Sequence, residues 1–333
     1  MGHKILVTGG AGYIGSTICS ALVDRGWTPV ILDSLVTGTI HFAQQHPFYL
    51  GDIADTPLVH RIFEEHPDIF ATIHCASRIL VPESSIDPEL YYQENVLKSL
   101  AFAKTLLDVG CSRVVFSSSA SVYGHTDVLA VSEDTAIAPS SPYARTKAMV
   151  EWILEDFSRA YALKTIVLRY FNPIGADPKL RTGLQQQDST HVLPRIIDAF
   201  EKKKPFTVTG TDWPTRDGSG LRDYIHVWDL AQAHIQAVEH FDQVLDTAHP
   251  FRTYNLGTGQ GTTVLELIQA FERVVGDALP LVFQPARPGD VAGAYAMSTR
   301  VQRELGWKSE ASLETAIASA LAWRTRRLEV LGF

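Results

Sequence analysis

Apolar residues recur along the first half of the 333-residue chain as short runs at 4–8, 28–32, 48–50, 71–75, 113–116 and 165–171. Between the runs, Ile18, Leu22 and Val23 and then the stretches 57–66, 89–109 and 143–161 place apolar side chains at helical intervals. Strands that alternate with helices predict a parallel sheet covered on both faces. After Pro173 the pattern changes to a Gly-, Asp- and Gln-rich segment through Gln187, which suits a loop over a ligand better than a core element. Further strands are expected at 224–227, 253–256 and 281–283. Helices are expected from Asp229 to about Phe241, over 264–275, and twice more near the end.

Ligands of such sheets sit beyond the carboxyl ends of the strands, so the residues that follow each run carry the chemistry. The first run ends in Gly9-Gly10-Ala11-Gly12-Tyr13-Ile14-Gly15 and continues as a helix. Glycines at Gly9, Gly10 and Gly12 let the backbone turn sharply and approach phosphate oxygens, while Gly15 lets helix and strand pack closely. The helix N-terminus supplies free N–H groups and the positive end of a dipole. This strand, turn and helix read as the diphosphate cradle of a Rossmann-type dinucleotide site. The second run ends at Asp33, whose carboxylate accepts from ribose hydroxyls and repels a 2′-phosphate, selecting NAD over NADP. Asp52 and Ile53 follow the third run, at the place for the adenine. His74-Cys75-Ala76-Ser77 and Ser117-Ser118-Ser119 follow the fourth and fifth, at the same crevice.

Ser141-Pro142 is a helix start, and it sets Tyr143 and Lys147 four residues apart on one helix face. An unaided phenol has a pKa near 10 and is a poor base at neutral pH. A neighbouring ammonium and a positively charged nicotinamide would both favour phenolate at Tyr143, with Ser119 placed to hydrogen-bond the same hydroxyl.

Bulk properties narrow the partners. A formal net charge of −8 gives no electrostatic case for nucleic acid or for an anionic membrane, and no window approaches a membrane span. Met1-Gly2-His3-Lys4 leads straight into a strand, so a cytoplasmic location is expected. Cys19, Cys75 and Cys111 lack metal-type spacing and read as buried thiols, and the 12 histidines form no ligand cluster.

Taken together, the stretches Thr8 to Ser16, Ser117 to Gly124, Ser141 to Lys147, Arg169 to Ala176, Arg222 to Val227, Tyr254 to Gly257 and Arg287 to Asp290 resemble the extended short-chain dehydrogenase/reductase superfamily, and within it the UDP-glucose 4-epimerase family. The resemblance implies an α/β fold: a doubly wound parallel sheet in residues 1–172, joined by about 223–257, with a second, smaller substrate domain from about 173–222 and 258–333. It implies a tightly held NAD that accepts hydride from C4 of a UDP-linked hexose while Tyr143 takes the O4 proton, followed by return of the hydride to the other face. By the same likeness Asn95 and Tyr170 line the cofactor side. Asn172, Arg222 and Arg287 meet the diphosphate, Asp290 meets the uridine ribose, and the molecule is a homodimer through the helices near 89–109 and 143–161.

Differences from sister families sharpen the expectation. The 4,6-dehydratases carry Asp-Glu directly after the position of Ser119, the acid and base needed to expel water, and the decarboxylases keep the Glu; here Ala120 and Ser121 stand there. Ile79 occupies the place of a lysine that many members have near the nicotinamide ribose, with Arg78 beside it, and His191 is expected to cap a helix. The wall beside the sugar falls on Gly293 or a neighbouring alanine, so a UDP-N-acetylhexosamine should also fit. A 4-epimerase for UDP-pentose or UDP-uronate, and a non-catalytic NAD-binding sensor, stay open as other readings.

Overall fold

The computed structural model describes residues 2–126, 128–286 and 291–332. Seven strands form one parallel sheet: β1 (Lys4–Thr8), β2 (Thr28–Asp33), β3 (Phe48–Leu50), β4 (Ile69–His74), β5 (Arg113–Ser119), β6 (Lys164–Tyr170) and β7 (Phe251–Leu256). Their order is β3-β2-β1-β4-β5-β6-β7. Val7 of β1 lies between Ile31 of β2 and Ile73 of β4. The chain leaves β1 toward β2 and β3 and then returns across to β4. The carboxyl ends of β1 and β4 therefore diverge into a crevice, the switch point where such folds bind dinucleotides.

Burial on both faces explains why these strands are runs of Val, Ile and Leu. Ile5 and Val7 point into the layer built by the helices Tyr13–Asp24 and Val227–Glu239. Leu6 and Leu32 point to the opposite layer, with Phe102, Leu106, Val150 and Leu154 from the helices Lys98–Asp108 and Pro142–Ala160. Successive side chains of one strand thus supply two separate cores.

A third core gathers Leu193, Ile196 and Phe206 with Leu267, Phe271 and Ile317, joining the stretches 173–222 and 258–332. Its strands pair in short two-stranded units: Phe206–Thr209 with Leu281–Gln284, and Leu221–Arg222 with Thr262–Thr263. The stretch 223–257 divides between the two parts. Tyr224–His226 pairs with Asn172–Ile174, outside the large sheet, and Tyr224 belongs to the third core, whereas the following helix and β7 pack with the first. A strand of three residues carries too little periodicity to show which sheet it joins.

Other local departures have equally physical causes. The helix expected over 89–109 consists of Pro88–Tyr91, a widened π-helical stretch Tyr92–Leu97, and Lys98–Asp108. The helix at Val81–Ile86, only six residues long, was not legible from periodicity, whereas Val192–Glu201 begins directly after His191, where a helix start was expected.

Candidate active site

The glycine loop closes on itself as its composition requires. Gly9 has φ +69°, and a Cβ there would stand 2.8 Å from the Ala76 amide nitrogen; one on Gly15 would stand 2.2 Å from the Gly9 carbonyl oxygen. Gly12 is the N-cap of Tyr13–Asp24 with no side chain to satisfy the first-turn amides and no acidic residue in that turn. Those donors are left for an anion. Tyr13 donates its hydroxyl to the Gly175 carbonyl at 2.7 Å, tying the loop to the far wall.

A cavity opens over this loop. Gly9, Gly12, Tyr13, Ile14, Gly15, Asp33, Asp52, Ile53, Tyr143, Lys147 and Tyr170 all line it, together with Arg78, Ile79 and His191. Asp33 accepts from the Ala11 and Leu35 amides at 2.9 and 2.8 Å, which fixes its carboxylate, and burial raises its pKa. Asp52 is paired with Lys98 at 2.6 Å. His191 is the N-cap residue of Val192–Glu201, and its side chain makes no capping bond.

Asn95 is placed otherwise than its expected role required. It lies behind the wall, accepting from the Arg78 amide at 2.8 Å and donating to the Arg78 carbonyl and the Thr146 hydroxyl, each at 3.0 Å. Its contact with the cavity runs through Arg78, which it holds in an extended grip. The widened turn of its helix has no signature that spacing alone would reveal.

The reactive side chains sit on the start of Pro142–Ala160. Ser141 accepts from the Ala144 amide, and Pro142 opens the first turn. Lys147 donates to the Ser117 carbonyl at 2.9 Å, and its nitrogen stands 6.0 Å from the centre of the Tyr143 ring. Burial lowers the Lys147 pKa to about 8. Burial also raises that of Tyr143, against which the Ser119 hydroxyl pulls it down. The lysine therefore does not by itself make a phenolate, because its ammonium is directed to a main-chain carbonyl and dehydrated. Ser119 accepts from the Ser121 amide at 3.2 Å and lies at the end of β5, past the cavity lining.

Behind these groups runs a buried polar chain that the sequence did not reveal. The His234 ring donates from Nδ1 to the Leu230 carbonyl at 2.8 Å, which leaves Nε2 as an acceptor for the Tyr170 hydroxyl at 2.5 Å. The Tyr170 hydroxyl is also hydrogen-bonded with Ser117 at 2.5 Å, and Ser117 with Cys75 at 3.0 Å.

At the far end, the Asn172 backbone N–H donates to the Asp223 carbonyl at 2.9 Å. Arg222 donates to the Leu221 and Ala292 carbonyls at 2.6 and 3.4 Å. Asp223 is not its partner: that carboxylate accepts from Thr258, Gly259 and Ala296. Arg287 and Asp290 lie outside the described residues. Gly293, at φ +118°, bridges to Leu221, where a Cβ would lie 1.7 Å from the Leu221 oxygen; Ala294 is the neighbour that packs with Val122, Tyr123 and Phe171 beside the end of β5.

Comparison with known proteins agrees with this arrangement. Residues 5–257 match the NAD dependent epimerase/dehydratase family. The chain is 39% identical over 332 residues to the UDP-glucose 4-epimerase of Bacillus subtilis (strain 168), with 96% of each chain covered. The chain belongs to the NAD dependent epimerase/dehydratase family. Among solved members, the UDP-glucose-4-epimerase from Stenotrophomonas maltophila with bound NAD and formylated UDP-arabinopyranose superposes with a TM-score of 0.93 at 37% identity, covering 98% of this chain and 99% of that one. The UDP-Glc/GlcNAc 4-epimerase from Campylobacter jejuni gives 0.84 at 31%, covering 98% and 100%.

NAD is the cofactor of this family member, and the residues fit it. A Cβ at Gly9 or Gly15 would collide with the loop backbone, the helix amides are uncapped, Asp33 is held ready, and the buried Gln185 Oε1 in the lining has no partner among the described residues. Sequence reasoning did not single out Gln185, Thr37 or His234. The Gln-rich composition of 185–187 had signalled only a loop over a ligand.

Proposed function

We propose that the protein interconverts UDP-galactose and UDP-glucose at C4 through a 4-keto sugar. The observation that carries this reading is Tyr143 above a dinucleotide cavity with Lys147 one turn on and Ala120-Ser121 where expulsion of water would need an acid and a base. When bound, NAD supplies a reversible hydride acceptor and a positive charge. Tyr143 takes the O4 proton as the C4 hydrogen leaves, Ser119 holds the O4 oxygen, and Lys147 keeps the phenol in place and shares the proton's electrostatic cost. The keto sugar must turn over while its nucleotide stays fixed. Strong contacts therefore belong on UDP, from Arg222, Asn172, Arg287 and Asp290, and loose ones on the hexose. Incubation with UDP-galactose and no added nucleotide should yield UDP-glucose; a requirement for stoichiometric external oxidant would refute the assignment.

The small Ala294 side chain beside the end of β5 supports a wider range that includes UDP-N-acetylglucosamine. A homodimer, too, belongs to this proposal. Phe102, Leu106, Val150 and Leu154 are spent inside the protomer, but Leu97, Leu100 and Trp152 stay exposed on the same helices, with 48% of Trp152 open to solvent. Light scattering at several concentrations tests it, with Trp152→Glu expected to give a monomer. The described residues contain no helix long and apolar enough to cross a membrane, and we place the reaction in cytoplasmic galactose metabolism.

A further inference from the structure

The last long helix, Leu313–Leu331, is remote in sequence from every cofactor residue considered so far, yet it grips one wall of the cavity. Trp323 donates its indole N–H to the Leu184 carbonyl at 2.9 Å, and Arg327, one turn further, donates to the Gln186 carbonyl at 2.9 Å. Both side chains are buried, Arg327 to all but 6%. Gly183 lies flat on the Trp323 ring, where a Cβ would approach within 2.5 Å. The residues so held, Leu184, Gln185 and Gln186, line the cavity in succession. Gln185 then reaches across and donates to the Thr37 carbonyl at 2.7 Å, in the loop that follows Asp33. Phe42, beyond that loop, packs against Trp323 with ring centres 5.8 Å apart. The two walls and the helix form one closed circuit around the mouth of the cavity.

We infer that this circuit is a latch for the dinucleotide: the C-terminal helix fixes the strap 184–186, Gln185 closes it on the Asp33 loop, and the Gln185 side-chain oxygen accepts a hydrogen from the adenosine half of NAD. That oxygen is buried and has no partner among the described residues, whereas its own amide is committed to Thr37. A buried acceptor left without a donor costs free energy unless a ligand satisfies it. The strap belongs to neither the glycine loop nor the reactive helix. Its loss should free the cofactor.

Release of NAD from the full-length holoprotein, followed by nucleotide content after repeated desalting and by stopped-flow dissociation into excess apo-trap, is the test. Gln185→Met keeps the length of the side chain but neither hydrogen-bonding group. Arg327→Met removes the grip on Gln186. Both should accelerate NAD loss about tenfold or more, with UDP affinity unchanged, and Gln185→Glu should not rescue because it cannot donate to Thr37. Melting temperature at saturating NAD reports whether each variant is folded. Should Arg327→Met unfold, the uncharged Gln185→Met decides alone. Dissociation at the parental rate in folded Gln185→Met would overturn the latch. The readout is nucleotide release, so an error about the sugar substrate would leave this result standing.

Discussion

The two ends of the site are built on opposite principles. Around the dinucleotide cavity almost every polar wall group is already committed: Asp33 to two amides, Asn95 to Arg78, and Tyr170 to His234 and Ser117. At the end proposed for the sugar, the side chains near the end of β5 are Ala120, Ser121 and Ala294, and the backbone approaches closely at Gly293. The Ser121 hydroxyl there is buried without a partner among the described residues. A rigid, satisfied frame holds a group that must not move between two half-reactions. Small side chains offer few groups to fix a ketone, which suits the proposed turnover of the sugar. The difference teaches that positional precision and rotational freedom are obtained in one site by assigning them to different side-chain chemistries.

That contrast can be broken at several points. The largest effect belongs to the base. Tyr143→Phe should lower kcat on the order of 10³-fold with NAD content unchanged, read by a coupled assay; unchanged turnover would move the base elsewhere and revive a binding role. Next is the frame under the reactive helix, where Glu151 and Arg169 form a buried ion pair at 2.6 Å, both almost fully enclosed. Glu151→Ala leaves the guanidinium buried without its carboxylate, bonded to the Tyr123 hydroxyl and the Glu133 carbonyl, and should cost about 3–5 kcal/mol in denaturant unfolding. A loss under 1 kcal/mol would show that the frame is not held there.

The buried histidines extend this to pH. Burial depresses His74 to about 3 and His234 to about 4, well below the ordinary value near 6.5. Between these limits the unfolded chain binds protons that the folded chain refuses, so stability falls as pH falls through that window. From pH 6.5 to 5 each should cost about 1.6 kcal/mol. A His234→Gln variant, which retains an acceptor for Tyr170, should flatten part of that decline in pH-resolved melting. The smallest expected change is at the loose wall: Ala294→Tyr should cut activity on UDP-N-acetylglucosamine about tenfold or more while sparing UDP-galactose. Equal losses on both sugars would remove Ala294 as the discriminating position.

Much of this molecule is written locally. The runs at β1 to β6, the glycine turn, Asp33 at a strand end and the Ser141 cap all depend on neighbours within a few residues. Hydrophobic period and backbone sterics are enough to place them. The one-turn spacing of Tyr143 and Lys147 likewise follows from helix geometry, and their arrival at the same crevice follows from the strand order. The rest is non-local. Nothing near Asn95 says that it will hold Arg78, nothing near His234 that its ring ends a chain beginning at Cys75, and nothing near Trp323 that it grips Leu184. These partners are 17 to 159 residues apart, counted as 95 − 78 and 234 − 75. The direction of the Tyr143 and Lys147 shifts also depended on the fold, because desolvation is set by what the whole chain packs over a group and spacing along one helix does not encode it.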